Sequence, residues 1–443
     1  MLNEMIKMNN RLLAVLVWAT LSTAVYAQSG TNSPYSQYGL GQLADQASGF
    51  NRGMNGLGVG MRGSYQVNFL NPASYSSIDS LTLLFDAGIS GQLTNFNENG
   101  KKKNAKNANF EYVTAAFRAF KHVGVSVGLL PFSNIGYNYS STNFVDEEKK
   151  TTYTNTYAGS GGLHLVYLGM GWEPFKGFSI GGNIAYLWGQ YSRTIINTYS
   201  DNTINTLSKI YAAEVRSYKL DLGAQYELPL GKNDRVTLGF TYGLGHKLSA
   251  DPSCVVTSTN PQTSVSNSAN HVVRNGLELP TMMAGGFVWN HKNKVKIGAD
   301  YSLQQWSKVG FPDYVTTGDE GQYTLNKNYF KDRHKMTVGG EYCKNEAGTR
   351  FAHRIRYRVG ASYTTPYLRI NGQDGPKEIS VSAGFGIPII NGWSDRKMFN
   401  ISNLNISGQW VQQSANAFIK ENTFRINIGI TFNEGWFAKW KVN

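Results

Sequence analysis

The side chains that could perform catalysis are present in this chain but are not arranged for it. The histidines, at positions 122, 164, 246, 271, 291, 334 and 353, show none of the spacings that bind a metal ion. The sequence Gly159-Ser160-Gly161-Gly162 lacks the strand, sharp turn and helix that expose a nucleophilic serine. Asp79 and Asp86 are interpreted as a turn residue and an inward polar group rather than as an acid and base pair. We therefore predict a protein that is not an enzyme and that uses no metal or other cofactor.

A group of charged side chains in the last third of the chain could instead recognise an anion. Glu341, Arg354, Arg356 and Arg358 lie on two neighbouring predicted strands and are assigned to the same face of the sheet. Guanidinium groups in such a patch could hold another part of the chain or receive a ligand carboxylate. The other interpretation is a structural ladder of opposite charges across adjacent strands, and the sequence leaves both open.

These side chains need strands to position them, and the sequence from about residue 81 onward alternates with a period of two. Near the end of the chain, for example, Phe424, Ile426, Ile428 and Ile430 alternate with Arg425, Asn427, Gly429 and Thr431. Successive side chains of a strand point to opposite faces, so this pattern indicates a two-faced sheet. The polar face holds mostly Gly, Ser, Thr and Asn, and Tyr and Trp recur near strand ends. A membrane barrel has this pattern, whereas a soluble sandwich turns its apolar face inward.

About fourteen strands are predicted, an even number, as bacterial barrels require. Their approximate ranges are 81–93, 109–120, 122–137, 157–174, 177–196, 210–230, 235–250, 278–290, 294–309, 334–344, 353–370, 377–390, 403–413 and 422–432. Short connections such as 231–234 alternate with long polar ones at 94–108, 138–152, 197–209, 251–277 and 310–333. We expect the short connections to be periplasmic turns and the long ones to be extracellular loops.

The two cysteines offer a test of this topology. Cys254 follows the outward-running seventh strand and so belongs to the extracellular loop 251–277. Cys343 ends the inward-running tenth strand and so belongs near the periplasmic rim. An apolar band of about 25 Å separates the two rims, whereas a disulfide needs Cα atoms within about 7 Å. We predict that the thiols stay unpaired and that a membrane-impermeant reagent labels Cys254 more readily.

The composition suits a chain divided between lipid and water. Charged residues make up 16% of the chain, against roughly 25% in an average soluble protein. No stretch after the first 30 residues approaches the ~18 apolar residues that a membrane helix needs, so a spanning structure would have to be a closed sheet. The net charge of +13 is compatible with nucleic-acid binding, but an exported protein does not meet nucleic acid. We expect contact with outer-membrane lipid and lipopolysaccharide instead.

The chain divides into four predicted parts. Residues 1–27 have the features of a cleavable signal peptide, with basic Lys7 and Arg11 before an apolar stretch and Val25-Tyr26-Ala27 as the cleavage motif. Residues 81–432 form the outer-membrane β-barrel, and residues 433–443 a periplasmic or interfacial tail. The predicted location is the cell outer membrane, with many strands crossing it.

The fourth part, residues 28–80, does not alternate and is rich in Gly, Asn, Ser and Gln. Left-handed backbone costs little at glycines such as Gly56 and Gly58, so the segment could fold compactly without its own core. It also holds too many apolar side chains for a free tail, namely Tyr35, Tyr38, Leu40, Phe50, Met54, Leu57, Val67, Phe69 and Leu70. We predict that this segment is an N-terminal hatch, or plug, inside the barrel lumen.

Two stretches carry a resemblance to a known family. The hatch ends in Asn71-Pro72-Ala73 just before the first strand, and Leu279-Pro280 opens a strand that a short turn joins to one containing Asp300 and leading to Trp306. In both features the chain resembles the FadL-type outer-membrane transporters of hydrophobic compounds. The resemblance covers nearly the whole chain and implies a fourteen-stranded antiparallel barrel, all-β, with an N-terminal hatch. No ligand-pocket residue of the family is matched to a position of this sequence.

A finer resemblance comes from short sequence motifs near the two ends of the chain. Ser33-Pro34-Tyr35-Ser36 and the closing Phe432-Asn433-Glu434-Gly435-Trp436-Phe437 are similar to the Bacteroidetes branch of the family. That branch includes relatives of PorV, which serve type IX secretion.

Two function hypotheses follow. The first is passive uptake of a hydrophobic small molecule through a barrel gated by residues 28–80. The alternative is a non-transport scaffold or shuttle subunit that binds partner proteins of a secretion or outer-membrane assembly complex. An apolar pocket in the lumen, reached through a gap in the wall, would favour uptake, and a lumen filled by the hatch would favour the scaffold.

Overall fold

The computed structural model describes residues 30–98, 100–145, 150–317, 320–346, 348–390, 401–416 and 418–435. The predicted signal peptide at 1–27, nearly all of the predicted turn at 391–402 and most of the predicted tail at 433–443 lie outside these ranges.

Fourteen antiparallel strands form the wall of a closed barrel. The strands are β1 Thr82–Glu98, β2 Lys101–Phe120, β3 Val123–Phe144, β4 Thr152–Phe175, β5 Phe178–Tyr199, β6 Thr206–Leu230, β7 Asp234–Gly243, β8 Met282–His291, β9 Val295–Gln304, β10 Arg333–Cys343, β11 Arg356–Thr364, β12 Lys377–Ile390, β13 Ile401–Ser414 and β14 Lys420–Gly435. The barrel closes because β14 pairs with β1, from Gly435 opposite Thr82 to Lys420 opposite Asn97. The predicted strand number and order are confirmed.

The remaining elements are short. The paired strands outside the wall are Ser253–Thr259 with Ser266–Val272, His246–Lys247 with Glu278–Leu279, Phe311–Thr317 with Glu320–Asn326, and Arg369–Ile370 with Gln373–Asp374, while Gln42–Leu43 pairs with β3. The helices are the 3-10 turns Pro34–Gln37, Pro72–Ser77 and Trp306–Lys308 and the single α-turns Gly49–Arg52 and Phe351–Arg354. Within the described part of the chain, no helix has the length and apolar character needed to cross a membrane.

The wall is apolar outside and polar inside, as the alternation predicts. Ile184 on β5 is 58% exposed, whereas its neighbours Asn183 and Ala185 are buried at 6% and 4%. Aromatic side chains mark both ends of the apolar band: Phe175 stacks on Phe178 across the β4–β5 turn, and towards the other end of the wall Tyr186 stacks on Trp188. An apolar outer surface bounded by aromatic residues is what a barrel in a lipid bilayer requires.

The two ends of the barrel differ. At the short-turn end, two or three residues separate most strand pairs, as at 121–122, 176–177, 231–233 and 292–294. The long-loop end carries the connections 244–281 and 305–332. The sequence predicts loops at 94–108, 138–152 and 197–209 as well, and there it is wrong, because β1 to β6 continue as strands almost to their hairpin tips. The polar stretches of these strands remain paired in the ladders between β1 and β2, β3 and β4, and β4 and β5, so polarity alone does not end a strand that rises above the apolar band.

Some strands are shorter than predicted. Leu279-Pro280 lies before β8, which starts at Met282, rather than opening it, and Leu279 instead pairs with His246 in a two-residue ladder. Proline has no N–H group to donate to a ladder, which is a physical reason for the later start. Arg354 lies in the short helix Phe351–Arg354 rather than on β11, which starts at Arg356.

Both cysteines are free, and they lie at opposite ends of the barrel. Cys254 belongs to the Ser253–Thr259 strand at the long-loop end, and Cys343 is the last residue of β10 at the short-turn end. The predicted positions and the absence of a disulfide are therefore confirmed. The predicted difference in labelling is not supported, because Cys254 is 0% exposed and Cys343 is 3% exposed.

We expect neither thiol to react with a membrane-impermeant maleimide in the folded barrel. Burial raises the pKa of the Cys254 thiol to about 11, and the thiolate is the reactive form. Both thiols should react after heating in detergent, and a Ser141→Cys variant, at an exposed position on β3, should react without heating. A Cys254–Cys343 bridge found by non-reducing mass spectrometry would contradict the strand order.

Candidate functional site

The inner wall of the barrel is covered by the chain's own N-terminal segment, residues 30–80. Its apolar side chains are buried: Met54 and Val67 are 0% exposed, and Leu40, Phe50 and Leu57 are nearly so. The segment has little regular structure of its own, and it packs on inward-facing residues from strands all around the wall. The candidate site is this interface. Its division from the barrel at residue 80 and its role as a hatch stay predictions.

The Asn71-Pro72-Ala73 motif forms the start of the Pro72–Ser77 turn and fixes it to the wall. The Asn71 side-chain oxygen accepts a hydrogen bond from the Ala73 N–H at 3.1 Å, which caps the turn. Its amide nitrogen donates to the Val59 carbonyl at 2.9 Å and to the Ala224 carbonyl of β6 at 3.2 Å. One asparagine thus links two parts of the N-terminal segment to the barrel.

The wall accepts this segment because it lacks side chains at the points of contact. A Cβ added to Gly181 would lie 2.5 Å from the Pro72 carbonyl carbon, and one added to Gly239 would lie 2.0 Å from the Val59 oxygen. We call these inward-facing contacts the glycine belt, and they comprise Gly124, Gly171, Gly181, Gly223, Gly239, Gly339 and Gly360. At Gly223 the Asn71 and Pro72 side chains lie closest, and at the other positions backbone of the segment packs directly on backbone of the sheet, which only glycine permits.

The two hatch glycines identified in the sequence differ in backbone conformation. Gly56 has a φ of +88°, in the left-handed region as expected. Gly58 is not among the residues with positive φ, so that part of the expectation is wrong. A side chain is still excluded at Gly58, because an added Cβ would lie 2.3 Å from Leu70 Cδ1.

Three sets of ion pairs join the segment to the wall at separate places. Arg52 pairs with Glu111 of β2 at 2.7 Å, and both side chains are less than a tenth exposed. Arg62 pairs with Glu173 of β4 at 2.9 Å. Asp45 lies 3.3 Å from Lys335 Nζ and 3.6 Å from Arg425 Nη1. The nearby Lys335 ammonium holds the pKa of the Asp45 carboxyl below its usual range.

Sequence reasoning missed all of these segment charges. Arg52 and Glu111 are 59 positions apart, and Asp45 lies far from both of its partners in the chain. The predicted hatch consists otherwise of apolar and small residues, so its few charged residues stand out in the sequence. They could have been assigned as wall contacts, since a buried charge needs a partner.

Asp300, which together with Leu279-Pro280 and Trp306 carries the family resemblance in the sequence, also binds the N-terminal segment. Its Oδ2 accepts hydrogen bonds from the Gly58 N–H at 2.7 Å and the Val59 N–H at 2.9 Å. The other members of that motif lie at the long-loop end instead. Trp306 is fully buried against Phe330 and Tyr367, in a cluster formed by the loops. Leu279 is buried, and Pro280 contacts the Gly245 backbone position.

The charges predicted to face inward form a ladder across β9, β10 and β11. Lys296, Glu341 and Arg358 are cross-strand partners, with Lys296 Nζ at 3.1 Å and Arg358 Nε at 2.7 Å from the Glu341 carboxylate. Arg356 approaches Glu341 at 3.9 Å, whereas Arg354 takes no part. These contacts are the ladder of opposite charges across adjacent strands, which was the structural interpretation of these residues.

Arg358 in addition touches the segment. An ideal Cβ on Gly53 would lie 3.1 Å from Arg358 Cβ, and the Phe50 ring lies beneath the guanidinium.

The wall is not continuously paired between β2 and β3. Their ladder runs from Phe120 opposite Val123 only as far as Val113 opposite Leu129. Beyond that point the segment enters the gap: Gln42 and Leu43 pair with Asn134 and Ser133 of β3.

Two more contacts complete this crossing. The Ala44 N–H donates to the Phe132 carbonyl of β3 at 3.0 Å, and the Asn32 amide donates to Asn107 of β2 at 3.0 Å. We call this gap, bridged by residues 30–44, the seam.

A small polar cavity lies beneath the seam. It has a volume of about 40 Å³ and is lined by residues that include Asp45, Glu111, Arg333 and Arg425. A volume of this size holds only a few water molecules, and its charged lining does not suit a hydrophobic molecule. Among the described residues, no cluster of His, Cys, Asp and Glu has the arrangement of a metal site.

Comparison with known proteins identifies the fold. A family model described as BamG matches residues 5–443, and no curated protein sequence matches the chain. The Pseudomonas putida toluene transporter TodX is 14% identical over 89% of this chain and 100% of that chain, with a TM-score of 0.57.

Two further solved structures have the same architecture. The CymD monoaromatic hydrocarbon channel is 13% identical over 90% of this chain and 99% of that chain, with a TM-score of 0.55. The Ralstonia pickettii toluene transporter TbuX is 12% identical over 88% and 98%, with a TM-score of 0.55. These likenesses confirm the predicted FadL-type fold. The Bacteroidetes branch and the relation to PorV stay predictions.

Replacing Gly181 by Val should loosen the N-terminal segment around Pro72 without unfolding the wall. The new side chain would overlap the Pro72 backbone, and overpacking of this kind costs about 1–3 kcal/mol. Trypsin should then cut the folded variant faster after Arg52, which is buried in the parent, or after Arg62, which is only partly exposed there. Gly285→Val is the matched control, because no atom lies within 4 Å of a Cβ at Gly285. Equal trypsin resistance of both variants would count against the glycine belt.

The Asp45 ion pairs should keep the segment in place in mild acid. Because the folded-state pKa is lowered, their stabilisation is fully present above the ordinary aspartate pKa of about 4. It is lost as the pH falls from there towards the lowered value. Planar-bilayer conductance should stay constant from pH 8 to pH 5, and Asp45→Asn should raise it at neutral pH. Asp201→Asn, in the β5–β6 turn, is the control, and an equal rise there would contradict the assignment.

Proposed function

The chain belongs to the BamG family, whose model matches it from residue 5 to residue 443, and on this premise we propose that it is a scaffold subunit. In this role it is a FadL-type barrel of the outer membrane that binds partner proteins of a secretion or outer-membrane assembly complex. It conducts no solute through its lumen.

The observation that carries this proposal is the way the N-terminal segment is fixed inside the barrel. Its ion pairs reach β2, β4, β10 and β14, and it packs on glycines of seven strands. Removing one partner of a buried ion pair costs about 3–5 kcal/mol. A segment held by one buried ion pair, by further partly exposed ion pairs and by close packing on glycines leaves the lumen too rarely to serve as a gate for solute flux.

Uptake of a hydrophobic small molecule is the second candidate. The seam between β2 and β3 is a gap in the wall of the kind this function needs, and the solved structures with this fold are described as hydrocarbon channels and toluene transporters. Against it, the seam is occupied by residues 30–44, and the cavity beneath it is small and charged.

The proposed orientation follows from the two ends of the barrel. Bacterial barrels place short turns in the periplasm and longer loops outside. The long-loop end, with the connections 244–281 and 305–332, is therefore assigned to the cell surface. Partners would meet the barrel there or along its lipid-facing wall.

Purification of the full-length tagged chain in mild detergent, followed by native mass spectrometry, tests the scaffold role. We expect other proteins in fixed stoichiometry with the barrel. If the chain purifies without partner proteins and accelerates toluene entry into liposomes, the scaffold role is refuted and uptake is supported.

The full-length chain should show little conductance in planar bilayers, because the segment fills the lumen. Deleting residues 30–80 after the signal peptide should leave a folded barrel, visible by its heat-dependent migration in gels, with a higher conductance. A deletion variant that folds and conducts no more than its parent would show that these residues do not close the lumen.

A further inference from the structure

We propose that the rim of the barrel beside the seam binds an acidic, extended segment of a partner protein, which adds to the wall as a further β-strand. The binding site is the upper seam, defined as Lys101–Lys106 of β2 together with Asn138–Asn143 of β3. This inference rests on the proposed scaffold role and names the chemistry of one partner contact.

The two edges of the upper seam carry no strand ladder between them. β2 pairs with β1 as far as Lys101 opposite Glu98, but its other edge pairs with β3 only up to Val113. β3 pairs with β4 throughout Asn138–Asn143, and in the described residues no strand covers its opposite edge there. Six residues of strand extend about 20 Å, so each edge offers the backbone groups that a short strand would need. Unpaired edges of this length are sites of strand addition.

The chain itself shows that the β3 edge accepts an added strand and that a chain segment fits between the two edges. Immediately below, Gln42 and Leu43 pair with Asn134 and Ser133 of the same β3 edge. An ideal Cβ on Gly30 would lie 3.0 Å from both Asn109 Oδ1 of β2 and Asn134 Oδ1 of β3. At that level one chain segment therefore spans the gap, and a partner strand would continue the same arrangement upward.

Charge defines which segment would bind. The β2 edge carries Lys101, Lys102, Lys103 and Lys106, all exposed. None of them forms an ion pair with any residue that the structure describes. The β3 edge is polar and uncharged, with Ser140, Ser141 and Thr142. Natural edges often use lysine to repel other strands of the same kind, and an acidic strand is the one that such an edge attracts.

The binding test uses the full-length chain in detergent and a short peptide of alternating glutamate and valine. A matched peptide, methylated on alternate backbone nitrogens, keeps the charge but cannot pair as a strand. We expect the first peptide to bind and the second to bind at least about tenfold more weakly, a difference of about 1.4 kcal/mol. Equal binding of the two peptides, or no binding of either, would overturn the proposal.

Variants locate the contact. Reversing two charges, in Lys101→Glu with Lys103→Glu, should weaken peptide binding, whereas Lys232→Glu, an exposed position at the short-turn end, should not. Bound peptide should slow maleimide labelling of Ser141→Cys but not of Asn202→Cys in the β5–β6 turn. If both labels slow equally, or if the double variant binds as the parent does, the site is not the upper seam.

The same double variant separates this inference from the scaffold role. Native mass spectrometry that finds a complex for the parent and an unchanged complex for the variant would refute the upper seam and leave the scaffold role standing. Absence of a complex for the parent would refute the scaffold role itself. Anionic phosphatidylglycerol vesicles provide a further test. If they displace both peptides equally, the site binds a lipid headgroup, and the proposal that a partner strand binds there is refuted.

Discussion

Every backbone N–H and C=O group at the level of the bilayer must find a partner within the protein, since lipid offers none. In this barrel the strand ladder alone does not meet that demand, because β2 and β3 part above Val113 and Leu129. The N-terminal segment meets part of it on the β3 edge, where Gln42 and Leu43 pair with Asn134 and Ser133 and the Ala44 N–H donates to the Phe132 carbonyl. The segment is therefore a part of the wall as well as a filling of the lumen.

Because the segment lies both at the seam and in the lumen, it explains the composition of the barrel's inner face. A segment that crosses the seam and then covers the inside of the sheet must approach it closely, and the glycine belt leaves room for its backbone. The polar groups of the segment then need partners in the wall, which Asp300, Glu111 and Glu173 provide. The hydrogen bonds and ion pairs that result are spread around the barrel, so that no single hinge releases the segment.

The fold is shared with barrels described as hydrocarbon channels, yet a fold does not determine function. The features of this chain that bear on function lie in the site: a charged lining under the seam, an N-terminal segment fixed at several places, and strands that rise above the apolar band. The raised strands β3 to β6 and the Ser253–Thr259 hairpin form a polar sheet beyond the membrane. Such a surface suits contact with other proteins more than passage of a small apolar molecule.

The sequence by itself determined the class of fold, the number of wall strands and the face of the residues in its clearly alternating stretches. It could do so because a strand's alternation is local and lipid imposes one rule on its outer face, as Ile184 and Asn183 show. It also predicted that residues 28–80 are a hatch without wall-spanning strands, and it named Asn71 and Asp300 as positions of interest.

Only the tertiary structure decided what those residues contact. Alternation assigned Arg358 to the inner face but could not say that Glu341, and not a ligand, is its partner. The Arg52–Glu111 pair, the glycines opposite Pro72 and the seam all join positions far apart in the chain. Such contacts depend on the closure and register of the whole barrel, which no local pattern of residues encodes.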